Sequence, residues 1–248
     1  MNTETPQDTP TFCAELAAVI RAKSWYVFDQ NGGFLWEQSV EKLAQLCKEA
    51  MGWGEATILK QALENSITPD SLIALETEEG HTPLISQLVS TFPQVPMVVL
   101  TEGEPQWQRT KVAKTKLELA LEGRKLYYSA DDKSLQIVSI ITEQLGAKKQ
   151  DVFHVCIVDD KQLKLEAATA QVSAAFPNAI VHTYLFVGET EKSVQGAGLV
   201  PFLEQKVANA EQLQQPMLLI LDMDGVLIDT DVALQYRAPQ LVYESMSK

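Results

Sequence analysis

The stretch Pro216-Met217-Leu218-Leu219-Ile220-Leu221-Asp222-Met223-Asp224-Gly225-Val226-Leu227-Ile228-Asp229-Thr230 decides how this chain is read. Four apolar residues, Leu218 to Leu221, run straight into an acid, the pattern of a parallel strand buried on both faces. Asp222 and Asp224 alternate at the strand end, and Gly225 lets the chain turn sharply. Two carboxylates fixed there suit one nucleophile and one acid/base, with a hard cation beside them. Only eighteen residues follow Thr230. Either the motif serves what lies before it, or it begins a second domain.

The 248 residues suffice for one sizeable core, or one core and an appendage. Apolar residues make up 46% and charged ones 21%, an ordinary globular balance. A net charge of -13 speaks against a nucleic-acid partner, because phosphate binding needs clustered Lys and Arg. No apolar run approaches the roughly 20 residues that span a bilayer, so no membrane partner is expected. The polar start, Met1 to Pro10, is expected to fray over residues 1–9 and carries no signal pattern. Cys13, Cys47 and Cys156 are too few and too scattered for a disulfide framework or a zinc cluster, which points to the cytoplasm.

Upstream of the opening stretch, apolar spacing predicts a short helix over Thr11 to Lys23. Trp25 to Asp29 reads as a strand, followed by Asn31-Gly32 and Phe34 to Trp36, which also reads as a β-hairpin. From Glu37 to about Pro93 the pattern is helical. Gly52 and Gly54 punctuate it, and helix starts fall at Thr68-Pro69-Asp70 and His81-Thr82-Pro83. Strands at Met97–Leu100, Lys125–Tyr128, Val152–Val158 and Ile180–Val187 then alternate with helices at Gln106–Leu121, Lys133–Leu145 and Gln162–Phe176. Such alternation means a parallel sheet covered on both faces. Gly188 to Gln215 reads as a linker containing a helix, and Asp229 to Lys248 as a helical tail despite Pro239.

In open α/β sheets, ligands gather beyond the carboxyl ends of the strands. Those ends carry Asp29, Thr101 and Asp160, with Lys133 opening the helix after the Lys125–Tyr128 strand. A carboxylate nucleophile, a hydroxyl and a cation for phosphate oxygens, and a carboxylate for a metal make the outline of a phosphoryl-transfer site. The order resembles the haloacid-dehalogenase-like (HAD) phosphohydrolases over about residues 24–187. Asp29 matches the first-motif nucleophile, Thr101 the second-strand hydroxyl, Lys133 the third-motif lysine and Asp160 the fourth-motif acid. Asp222-Met223-Asp224-Gly225-Val226-Leu227 is similar to the same first motif, D-x-D-G-[TV]-L.

Three positions depart from the family pattern. Asn31 stands where the family has its second aspartate, and an amide cannot act as general acid. Gly33 replaces the usual Thr or Val. Lys164 stands where a further acid often lies, and its ammonium would act as a built-in counter-ion in place of Mg²⁺. Asp159-Asp160 also resembles a receiver-domain acidic pair, but no suitable phospho-acceptor follows. His154 and His182, inside apolar strands, read as core residues.

The resulting expectation is an α/β fold, a Rossmann-like parallel sheet of HAD-like type with a small helical cap at about 37–80. Residues 1–195 form the domain, 196–215 a linker, and 216–248 the incomplete start of a second HAD-like domain bearing Asp222 and Asp224. The alternative is that strand 217–222 docks on a sheet edge or pairs with another copy of the chain, giving self-association. The resemblance implies hydrolysis of a small phosphorylated metabolite through an aspartyl-phosphate on Asp29. Mg²⁺ would be held by Asp29, the Asn31 carbonyl and Asp160, in a site impaired by Asn31 and Lys164. The rival readings are a catalytically inactive regulatory domain of a tandem protein and, further off, carbon–halogen displacement.

Overall fold

The computed structural model describes residues 9–51, 56–77, 83–186, 196–228 and 231–246. The expected punctuation at Gly52 and Gly54, the helix entry at His81, the polar run 188–195, the pair Asp229-Thr230 and nearly all of the expected frayed start lie outside these residues. The chain forms two compact units, Met1–Glu78 with Thr230–Lys248, and Glu79–Asp229.

The first unit is helical. It comprises α1 (Thr9–Arg21), α2 (Trp36–Met51), α3 (Ala56–Ser66), α4 (Pro69–Glu76) and α11 (Asp231–Met246), the last packing against α1, α3 and α4. Val40, Leu43 and Cys47 form the buried stripe of α2 that the sequence spacing requires. Thr68 caps α4 reciprocally with Ser71, and Pro69 occupies the first helical turn, where it blocks no hydrogen bond.

Trp25 to Asp29 does not form the expected strand of the parallel sheet. Phe28 and Phe34 form an isolated antiparallel bridge, and Asp29 N–H donates to Gly33 O at 2.8 Å. The Asp29 carboxylate accepts from the backbone N–H of Asn31 (2.7 Å) and Gly33 (2.8 Å). This is the hairpin-like turn that Asn31-Gly32 also signals, and the acid is used by its own loop.

The second unit is a three-layer α/β structure around five parallel strands in the order β2-β1-β5-β3-β4. The strands are β1 (Met97–Glu102), β2 (Lys125–Ser129), β3 (His154–Asp159), β4 (Ile180–Leu185) and β5 (Met217–Leu221). Alternate residues face opposite layers. Val99, Cys156, Val158, Leu219 and Leu221 pack toward α5 (Pro83–Thr91) and α10 (Gly196–Gln212). Val98, Leu100, Val155, Ile157, Leu218 and Ile220 pack toward α8 (Ser134–Leu145) and α9 (Gln162–Ala175). At ~25 cal/mol per Å² of apolar surface, a five-residue strand buried on both faces gains most where the sheet is deepest. All five residues of β5 are buried.

Three expectations are corrected here. Residues 216–228 complete this sheet instead of opening a separate one. Strand 217–221 is paired on both sides, with β1 and β3, so it offers no free edge for self-association. The expected linker 196–215 is mostly α10, whose Leu199, Leu203, Val207 and Ala210 lie in the core. His154 and His182 are partnered as expected. Their rings approach at 3.0 Å between Nδ1 of His154 and Nε2 of His182, and His154 Nε2 donates to Gln215 Oε1 at 2.8 Å. Among the described residues no helix is long and apolar enough to cross a membrane.

Candidate functional site

The chain runs outward from β1 to β2 and from β3 to β4, and β5 returns between β1 and β3. That reversal is where an open α/β sheet leaves a crevice at its carboxyl edge. The register Val99–Leu221–Val158 makes Asp222 and Asp159 lateral neighbours one step later. Asp222 N–H extends the ladder by donating to Val158 O at 2.9 Å. Strand alternation sends both carboxylates to the α8–α9 face, where Lys133 precedes the first turn of α8.

Lys133 bridges them, its Nζ 2.6 Å from Asp159 Oδ2 and 2.6 Å from Asp222 Oδ1, with all three side chains under 10% exposed. Burial opposes the ammonium charge, but Asp222 and then Asp159 outweigh it and hold Lys133 above its ordinary pKa. Burial pushes Asp222 up to about 7; Lys133 pulls it down, while Asp159 and Asp224 push it further up. Asp160 is raised to about 6, again chiefly by burial, with Lys161 opposing and Asp159 adding to the rise. Below Lys133, a cavity of about 10 Å³, room for about one water, is lined by Leu100, Ile137, Ile157 and Ile220 among others.

Beyond β5 the chain folds back on itself: Leu227 and Ile228 N–H both donate to Met223 O, and Gly225 N–H donates to Ile228 O. Gly225 has φ +78°, and a Cβ there would lie 2.8 Å from Asp160 Oδ2. Conformation and space both demand glycine, and the turn is pressed onto the Asp160 carboxylate.

Oxygen atoms of Asp159, Asp160 and Asp222 lie within 4.8 Å of one another. Oδ1 of Asp160 is buried without a hydrogen-bond partner, as is Oγ1 of Thr101. Hard oxygen ligands, one of them lacking a donor, fit Mg²⁺ or Ca²⁺. Of the expected metal ligands, Asp160 belongs to this group, and Asp29 and Asn31 form a turn of the first unit.

Asp224 turns toward α6 (Pro105–Thr115). Lys111 Nζ lies 2.7 and 2.8 Å from its two carboxylate oxygens, and Gln108 Nε2 donates to Oδ2 at 3.2 Å. Lys164 donates to both oxygens of Glu102, at 2.9 and 2.7 Å, and lies 3.4 Å from Asp132. Lys164 thus pairs with the acids at the end of β1 and before α8.

The structure therefore gathers Thr101, Lys133, Asp160, Asp222 and Asp224 within one unit, as the strand-end argument requires, and adds Asp159, Glu102, Gln108 and Lys111. The last two carried a readable signal. Trp107, Gln108, Lys111, Val112 and Thr115 form the buried stripe of α6, and a lysine inside such a stripe needs a buried acid. No protein-family model matches the chain, and comparison with curated proteins and with solved structures likewise finds no match.

Proposed function

We propose that the second unit is a cation-dependent phosphoester hydrolase of HAD-like type in which Asp222, not Asp29, is the nucleophile. The observation that carries this reading is the convergence of Asp222, Asp159 and Lys133 at the carboxyl ends of adjacent central strands. A carboxylate oxygen of Asp222 attacks phosphorus, the ester oxygen leaves, and water then cleaves the aspartyl-phosphate to restore Asp222. Lys133 supplies positive charge beside the incoming phosphoryl oxygens. Asp224, two residues on, takes the acid/base role that Asn31 could not fill. A divalent cation on Asp159, Asp160 and Asp222 would neutralise further phosphate charge. The substrate class remains a small phosphorylated metabolite.

The rival reading, an inactive binding module, drew its motives from Asn31 and Lys164. With Asp222 as the nucleophile the second carboxylate of the motif is Asp224 and not Asn31, and Lys164 pairs with Glu102 and Asp132, so neither residue motivates that reading.

The test is turnover of an aryl phosphate by the whole chain, with Mg²⁺ and with chelator. Asp222→Asn is expected to reduce the Mg²⁺-dependent rate by about a thousandfold or more. Turnover that survives Asp222→Asn, or is lost instead on Asp29→Asn, overturns the assignment.

A further inference from the structure

The parallel sheet ends in two edge strands, β2 and β4. β2 is guarded by charge, a common protection for an open edge. Its Lys125 is exposed and ion-paired with Glu143, and the Arg109 guanidinium lies 5.2 Å from the ring centroid of Tyr128. β4 carries no such guard. Its residues, Ile180-Val181-His182-Thr183-Tyr184-Leu185, include no acid, no Lys or Arg, no Pro and no Gly. Ile180 N–H donates to Phe153 O and Phe186 N–H to Asp159 O, each at 2.8 Å. The even-numbered residues therefore face β3, and alternation turns the backbone N–H and C=O of Val181, Thr183 and Leu185 outward. Among the described residues β4 has a strand neighbour on one side only. Thr183 and Leu185 are exposed, Leu185 by 40%.

The order of side chains along β4 selects the strand that fits this edge. A second β4 turned end for end about Thr183 opposes Ile180 to Phe186, Val181 to Leu185, His182 to Tyr184 and Thr183 to itself. These are two apolar pairs, one pair of rings with polar tips, and two hydroxyls, with no like charges opposed. The faces agree as well. Tyr184 and Phe186 pack on the α10 side and Val181 on the α8–α9 side, and a twofold axis perpendicular to the sheet keeps each side continuous. With its backbone groups outward, Thr183 on that axis exchanges both N–H···O bonds with its symmetry mate.

We propose that β4 is a docking edge for β4 of a second copy of this chain, antiparallel and centred on Thr183, giving a dimer with one continuous sheet. This needs neither a bound cation nor the hydrolase reading. At ~3.3 Å per residue the strand is about 20 Å long, so the contact is small and monomer and dimer exchange with concentration.

The experiment is sedimentation equilibrium of the whole chain over a range of concentrations, in salt that screens the charge of -13 on each copy. The wild type is expected to pass from monomer to dimer as concentration rises. Thr183→Lys sets two ammonium groups at the axis and is expected to raise the dissociation constant about tenfold. Thr183→Pro removes only an outward donor from each copy, and losing both bonds at the axis is expected to raise it about thirtyfold. Cross-linking reads the register, in a Cys13→Ser background because Cys47 and Cys156 are buried. Opposed Thr183 Cα atoms lie about 5.5 Å apart in this arrangement, within disulfide reach, so Thr183→Cys is expected to give a disulfide dimer on mild oxidation. Val181→Cys and Leu185→Cys are each expected to give none alone and to cross-link with each other when mixed.

A wild type that stays monomeric at millimolar concentration overturns the proposal and leaves the edge to a strand of another protein. A dimer that Thr183→Lys and Thr183→Pro leave unchanged overturns it equally. Where those two variants do not fold, the cysteine series decides. Cross-linking of Val181→Cys or Leu185→Cys alone as readily as of Thr183→Cys, or the lack of any cross-link at Thr183→Cys, overturns it.

Discussion

Replacing Asp222 by asparagine removes one charge from the buried pair of carboxylates, Asp159 and Asp222, that the Lys133 ammonium bridges. The carboxyl is fully buried, and its pKa rises from 3.8 to about 7. A rise of about three units corresponds to on the order of 4 kcal/mol of native-state cost when the group is ionised. The sign follows from proton binding. Between 3.8 and about 7 the folded state keeps a proton that the unfolded chain has released, so stability falls as pH rises through this window. Above it the cost is complete. Asparagine removes the cost, in which the pull of Lys133 is already counted, but buries an amide whose NH₂ needs acceptors, a loss of about 1–3 kcal/mol. The balance at about pH 8 favours Asp222→Asn by about 1–3 kcal/mol, or roughly 2–12 °C in Tm for a chain of this size. At about pH 5 most of the advantage is gone, because wild-type Asp222 already carries its proton. Calorimetric melting of both proteins in chelator at the two pH values measures this. Added Mg²⁺ then raises the wild type more than the variant, because it compensates a charge the variant lacks. A variant equally less stable at both pH values refutes the reasoning: Asp222 would then be a stabilising partner of Lys133, not a strained acid kept for chemistry.

Two further perturbations address neighbouring features. Gly225→Ala forces a side chain into the left-handed region and to within 2.8 Å of Asp160 Oδ2, so a loss of about 1–3 kcal/mol is expected in chelator melting, with weaker Mg²⁺ stabilisation; unchanged melting and Mg²⁺ response would show that the turn is not pressed on Asp160. His182 is depressed below 6.5 by burial, then by Lys206 and His154, so the unfolded imidazole takes a proton that the folded one refuses. Stability from this residue is present above about pH 6.5 and falls with pH below it. Urea unfolding at two pH values should therefore show a smaller acid loss in His182→Gln than in wild type; an equal loss refutes it. Asp222 and Asp160 act in the opposite direction over part of that window but are common to both proteins, so the difference isolates His182.

Much of the second unit was legible because a buried parallel sheet writes itself plainly. Short aliphatic runs ending in polar residues, separated by helix-length amphipathic segments, marked β1 to β4 and located Thr101, Lys133 and Asp160 at their ends. What failed was the choice between two strands that each run into an aspartate. The motif order along the chain favoured Asp29, yet chain order does not determine sheet order, and parallel strands reached by long crossovers can be filled in any sequence.

The side chains themselves distinguish the two. Trp25, Tyr26 and Phe28 are bulky and aromatic and lead into Asn31-Gly32, so the rings of Tyr26 and Phe28 pair across a local turn with Phe34. Leu218, Leu219, Ile220 and Leu221 offer aliphatic groups to both faces, and both faces of a central strand must be covered. An acid after the first kind of run satisfies itself on its own backbone, as Asp29 does. After the second kind it is carried into the interior beside the acid of the next strand, where only a lysine such as Lys133 can neutralise the pair. The cost of burying Asp222 and Asp159 together is the physical reason to look for chemistry there and not in the turn at Asp29.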